Sequence, residues 1–167
     1  MRTLMIAVTL LACSSTALAA GKDIKGFGLY HWGMTLDEVL NANHKEPAHR
    51  ADGKLGKLHV LAATSAQMLP KRDPLGQQFL FADDGKLVGI GFFHKEEGAA
   101  ADIKECEELQ KHFEGVWGAP SRTIHTSDNV KWDLEWDLGE SVGALHCSQV
   151  GAKRLMNVQL RKKGFGE

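Results

Sequence analysis

Beyond its first twenty residues the chain has no apolar run near the roughly eighteen residues that a membrane-spanning helix needs, so the remainder is expected to fold as a soluble domain. It has no C-x-x-C pair for zinc or thiol exchange, no H-E-x-x-H, and no glycine-rich phosphate loop opening a helix. No metal, nucleotide or other cofactor is expected. Charge of one sign is also lacking: twenty basic and twenty-one acidic residues are interspersed, for a formal net charge of −1. That balance excludes the cationic footprint of a nucleic-acid binder and a polybasic membrane patch.

What is present begins with a leader. Residues 1–20, MRTLMIAVTLLACSSTALAA, carry Arg2, an apolar run from Leu4 to Ala12, and small residues ending in Ala17-Leu18-Ala19. This is the layout of a secretory signal peptide cleaved near Ala19 or Ala20. The alternative rests on Leu10-Leu11-Ala12-Cys13, which resembles a lipobox; lipidation of Cys13 would then hold the protein on the outer membrane. Removing the leader leaves residues 21–167 as a single domain with two cysteines, Cys106 and Cys147. In an oxidising compartment an even pair reads most simply as a disulfide, stabilising by about 4 kcal/mol through loop closure.

Within the domain, IKGFGLYHWG reads as a strand ending at Gly33. Thr35 and Glu38 then form a capping box for a short helix carrying Leu36, Val39 and Leu40. Residues 44–56 read as a polar loop and KLHVLAAT as a strand, followed by a loop with Pro70, Pro74 and Gly76. Two apolar runs flanking Asp83-Asp84-Gly85-Lys86 predict a hairpin, since Asp-Gly accepts positive φ. Ile103, Cys106, Leu109, Phe113, Val116 and Trp117 recur at helical spacing, and Gly118 and Pro120 end that helix. VKWDLEWDL alternates strictly, with Val130, Trp132, Leu134, Trp136 and Leu138 on one face, and SVGALHCSQ and RLMNVQLRKK complete a meander. The expected fold is α+β, an antiparallel sheet with both helices packed on one face. Its order suggests two tandem helix-then-meander units, 24–95 and 100–163, with Trp32-Gly33 and Trp117-Gly118 as a faint repeat. Helix and strand periods independently aim Cys106 and Cys147 inward.

GMTLDEV resembles the G-M-T-x-x-x-V element of small outer-membrane assembly lipoproteins of the BamE (SmpA/OmlA) type, and the helix start of tandem-repeat secreted proteins with the β-lactamase-inhibitor-protein fold. VWGAPS is similar to the G-x-P that closes the helical part in such families. The matching positions are Gly33, Met34, Thr35 and Val39, then Gly118 and Pro120. In the assembly lipoproteins both pieces belong to one helical hairpin, whereas here about eighty residues separate them, which favours the tandem arrangement. The resemblance implies a fold rather than an activity.

Candidate chemistry is sparse. His44 and His49 fall in a loop, His59 and His94 on separate strands, and His112 in the second helix, with no ligand spacing among them. Ser, His and Asp are too common to imply a triad, and Asp83-Asp84 and Glu107-Glu108 fit a turn and a helix surface. Phe79, Phe81, Phe92, Phe93, Trp132 and Trp136 are expected to build the core; the alternative is an aromatic groove for a ligand or partner. Trp32-Gly33-Met34 reads as the structural start of a helix. The function expected from these features is that of an exported, non-enzymatic, periplasmic or secreted binding protein of inhibitor, immunity or envelope-assembly type. It would present a sheet face to another envelope or secreted protein. The alternatives are a lipid-anchored assembly component and a small hydrolase or ligand-binding enzyme.

Overall fold

The computed structural model describes residues 23–94, 101–126, 131–150 and 152–165. Residues 1–22, which contain the expected leader and Cys13, lie outside the described residues, as do Val130 and the side chain of Trp132. In chain order the elements are β1 (Gly26–Phe27), β2 (Tyr30–His31), α1 (Leu36–Asn41), β3 (His49–Leu55), β4 (Leu58–Ala66), β5 (Leu75–Phe81), β6 (Leu87–Phe93), α2 (Ile103–Trp117), β7 (Arg122–Thr126), β8 (Lys131–Leu138), β9 (Ser141–Val150) and β10 (Lys153–Lys162). Strands β1 and β2 form a small ribbon. The other eight make one antiparallel sheet in the order β3-β4-β5-β6-β10-β9-β8-β7. The fold is α+β with the sheet dominant.

Three local expectations need correction. Residues 44–56 are not all loop, because His49–Leu55 forms the edge strand β3. Most of its side chains are exposed and its register slips between Arg50 and Gly53, so no period-2 burial marks it in the sequence. The expected single strand ending at Gly33 is instead the β1–β2 ribbon, which turns at Gly28, where φ is +60°. Gly76 belongs to β5 rather than to the preceding loop; a Cβ there would lie 2.6 Å from the Phe93 ring, which rests over it.

Both helices bury their apolar stripes in one core. Val39 of α1 and Cys106, Leu109, Phe113 and Trp117 of α2 pack with Phe79, Phe81, Ile90, Phe92, Leu134, Trp136, Leu145 and Val158. The expected alternation of β8 holds over the described side chains, with Leu134, Trp136 and Leu138 buried and Asp137 exposed. Cys106 and Cys147 are disulfide-bonded, with Cα atoms 6.4 Å apart, so α2 is stapled to β9. A smaller apolar cluster, Leu58, Val60, Leu80 and Val88 with Phe165, lies apart from this core.

The Trp32-Gly33-Met34 stretch has a structural task in both halves of the chain. Gly33 N–H donates to Leu87 O and Leu87 N–H to Met34 O, each at 2.8 Å, so the stretch pairs with the start of β6. Gly33 does this at φ +91°, a conformation costly for other residues. Trp32 Nε1 donates to Ser141 Oγ at 2.8 Å, at the start of β9. The capping box then starts α1: Glu38 N–H donates to Thr35 Oγ1, and Thr35 N–H to Glu38 Oε2. Trp117-Gly118 ends α2, whereas Trp32-Gly33 precedes α1. The two pairs therefore occupy opposite ends of their helices and are not equivalent positions of a repeat.

Candidate functional site

Strand periodicity decides what the helix-free face shows. Burying Leu134, Leu145 and Val158 under the helices turns Asp133, Ala144, His146, Asn157 and Gln159 to the other side. The register sorts this face into rows. Asp133, His146, Asn157, Phe93 and Gly76 lie side by side across β8, β9, β10, β6 and β5. The next row is Glu135, Ala144, Gln159, Gly91 and Gln78, and the third is Asp137, Val142, Arg161, Gly89 and Leu80. Most of the polar members are half-exposed, whereas the smaller cluster around Leu80 is covered by Phe165. At the centre Gly91 and Ala144 keep the floor low; a Cβ on Gly91 would meet nothing closer than Val158 O at 4.0 Å.

The aromatic core expected from the sequence is present in four of its six members, with Phe93 the exception among the described side chains. Phe79, Phe81, Phe92 and Trp136 are all buried beneath the helices. Phe93 alone of the strand aromatics considered above turns to the open face, among the described side chains, and it covers Gly76. The open face is thus polar with a small-residue floor. At one end a shallow cavity of about 390 Å³ is lined by Lys57, Leu58, Ala82, Asp83, Asp84, Gly164 and Phe165. The Asp83–Gly85 turn at its rim has the expected chemistry, with Gly85 at φ +74° and Lys86 N–H donating to Asp84 Oδ1.

From the first row runs a relay that the sequence reading did not single out. Asp133 Oδ1 is hydrogen-bonded to His146 Nδ1, and His146 Nε2 stands 3.2 Å from Ser148 Oγ, one step further along β9 on the same face. A second serine has a more suggestive motif and a less suggestive setting. Gly139–Gly143 spells G-E-S-V-G, the letters of a nucleophile elbow, but that motif works on a sharp strand-to-helix turn with an exposed hydroxyl. Ser141 is wholly buried at the start of a strand, and its Oγ donates to Ile24 O while accepting from Trp32. It is structural.

A second polar group sits where α2 begins. Asp102 caps the helix by accepting the Glu105 N–H, which holds its carboxyl below the usual range. Arg72 Nε donates to Glu108 Oε2 at 2.9 Å and Nη1 to Asp102 Oδ2 at 3.3 Å, and the guanidinium lowers the Glu108 pKa. Glu105 differs: its side chain is 9% exposed, and burial pushes its pKa up, against the pull of His94, whose Nε2 is 3.3 Å from Glu105 Oε2. Because the folded state then holds this proton to higher pH than the unfolded chain, stability falls as pH rises from the ordinary carboxylate value through the raised one. Glu105→Gln removes that loss, so urea titrations at pH 4 and pH 7 should show the variant gaining on the wild type at pH 7. A constant difference would mean that Glu105 is not proton-linked.

Among the described residues no three His, Cys, Asp or Glu side chains group as metal ligands, and no helix is long and apolar enough to cross a membrane. No family model matches the chain, and no curated protein matches it. A crystal structure of a DUF4309 family protein, YjgB, from Bacillus subtilis matches with a TM-score of 0.43 and 18% identity, over 87% of this chain and 90% of that one. At that score the likeness carries nothing about fold or role.

Proposed function

We propose that this chain is an exported binding protein that holds another envelope or secreted protein on the helix-free face of its sheet, in an inhibitor, immunity or assembly role. The observation that carries this reading is the asymmetry of the sheet. Both helices bury one face, while the other presents rows of half-exposed polar side chains around the low floor at Gly91 and Ala144. A polar surface with small residues at its centre gives a partner both hydrogen-bonding groups and room for an anchoring side chain. The disulfide fits an oxidising compartment outside the cytoplasm. Two halves, each a helix followed by four antiparallel strands, fit the tandem arrangement that the G-M-T resemblance suggests.

The test is affinity capture with crosslinking of the oxidised mature domain from an envelope extract of its own organism, run beside Ala144→Arg and Lys111→Glu. The expected result is one stoichiometric partner, kept by the Lys111→Glu control on the exposed side of α2 and lost by Ala144→Arg. A partner that tolerates Ala144→Arg binds elsewhere, and repeated failure to capture one overturns the reading. Mass spectrometry of the mature N-terminus separates the lipid-anchored alternative: a diacylglyceryl group on Cys13 supports it, and a free terminus near Ala20 removes it.

A further inference from the structure

The Asp133–His146–Ser148 relay has an order that partner binding does not require. On neutral His146, an Nδ1–H donated to Asp133 leaves Nε2 with a lone pair, and the hydroxyl within reach of that lone pair is Ser148 Oγ at 3.2 Å. This is the tautomer in which an imidazole can remove a proton from a serine. The sheet fixes the relay from both sides. Asp133 and His146 are direct cross-strand partners, and Ser148 follows His146 by one period-2 step, so all three project from one face. The opposite face of β9 is anchored by Cys147, which is buried and disulfide-bonded to Cys106. None of the three is buried, so a small reagent can reach Ser148.

The surroundings of Ser148 suit an acyl group. Its direct partner on β10 is Leu155, which is 50% exposed, an uncovered apolar side chain beside the hydroxyl. Its diagonal neighbours on β10 are Lys153 and Asn157, an ammonium and a carboxamide on the same face. Those are the donor types that stabilise an oxyanion.

We propose that Ser148 is a nucleophile toward small esters with an apolar acyl group, with His146 as general base and Asp133 as the residue that positions it. Ser148 Oγ attacks the ester carbonyl carbon as its proton passes to His146 Nε2. The ester C–O bond breaks, the alcohol leaves with that proton, and the acyl group stays on Oγ. Water then attacks the acyl-serine, giving its proton to His146; the carboxylic acid departs and Ser148 recovers its proton. Atoms and charge balance with water as the second reactant. The activity is independent of the protein partner proposed above and is measured without one.

The oxidised full-length mature protein is treated with a fluorophosphonate probe, and labelled peptides are quantified by mass spectrometry; hydrolysis of p-nitrophenyl butyrate is followed in parallel. Ser148 is expected to label about 100-fold faster than Ser65 or Ser121, the lower end of what a positioned base supplies. His146→Asn should remove that advantage and Ser148→Ala should abolish the hydrolysis. Asp133→Asn should slow labelling at least 10-fold, with the deficit narrowing at alkaline pH, where hydroxide can replace the base. Circular dichroism of each variant reports that the sheet is intact. Labelling of Ser148 no faster than of Ser65, or labelling indifferent to His146→Asn in a folded variant, overturns the proposal.

Discussion

Reducing the Cys106–Cys147 bond should lower the stability of the domain by about 4 kcal/mol, the loop-closure value for a separation of 41 residues. For a domain of this size that corresponds to a fall of roughly 10–15 °C in Tm. The bond is a large share of what anchors α2, whose remaining buried apolar side chains on the sheet are Leu109, Phe113 and Trp117. Thermal melts with and without reductant measure the effect, and the Cys106→Ala/Cys147→Ala double variant should melt at the reduced wild-type temperature in both conditions. Since both sulfurs are almost fully buried, reduction will require unfolding or strong reductant, so melts should follow prolonged incubation. An unchanged midpoint after verified reduction would show that the staple adds nothing to the packed helix.

The second large effect should come from Trp117, the last residue of α2. Its ring stacks on Phe113 at 4.2 Å between centroids and meets Trp136 edge-on at 5.3 Å, while Trp136 Nε1 donates to Gly118 O. Below it lies Gly143 of β9, where a Cβ would fall 2.7 Å from Trp117 Cζ3. Trp117→Ala should cost about 3–5 kcal/mol by leaving a cavity that its aromatic neighbours cannot fill. Gly143→Ala should cost about 1–3 kcal/mol, because a ring held by two others cannot move aside. Combining Gly143→Ala with Trp117→Leu separates packing from strand propensity. If the clash dominates, alanine at 143 becomes nearly harmless once the ring is gone, giving a coupling of about 1–2 kcal/mol in a double-mutant cycle. Additive costs would place the damage in the β9 backbone instead.

The parts of the fold legible in sequence were those with local causes. The capping box, the Asp-Gly turn, the helix ended by Gly118 and the alternation of β8 each arise within a few residues, and each is present. Strand β3 escaped because an edge strand with mostly exposed side chains and a slip of register between Arg50 and Gly53 leaves no burial pattern to read. The Asp133–His146–Ser148 relay lay between these cases. Inward Cys147 already implies outward His146 and Ser148. A two-residue turn at Gly139-Glu140 pairs Leu138 with Ser141, and counting back along the two strands brings Asp133 opposite His146. The signal was a register, and residue counts alone conceal it. The three-row open face was beyond reach for a different reason: it depends on β6 meeting β10, a contact between segments some seventy residues apart.

That one contact bears on how the sheet can assemble at all. In the order β3-β4-β5-β6-β10-β9-β8-β7, every neighbouring pair except β6–β10 joins strands adjacent in the chain. Eight strands are therefore reached with a single distant closure, and the other pairings need only short connections. Loop-closure entropy grows with the logarithm of loop length, so the wide sheet costs little more chain ordering than two separate meanders. The register from Gly89–Arg161 to Phe93–Asn157 is where two locally specified halves become one cooperative body.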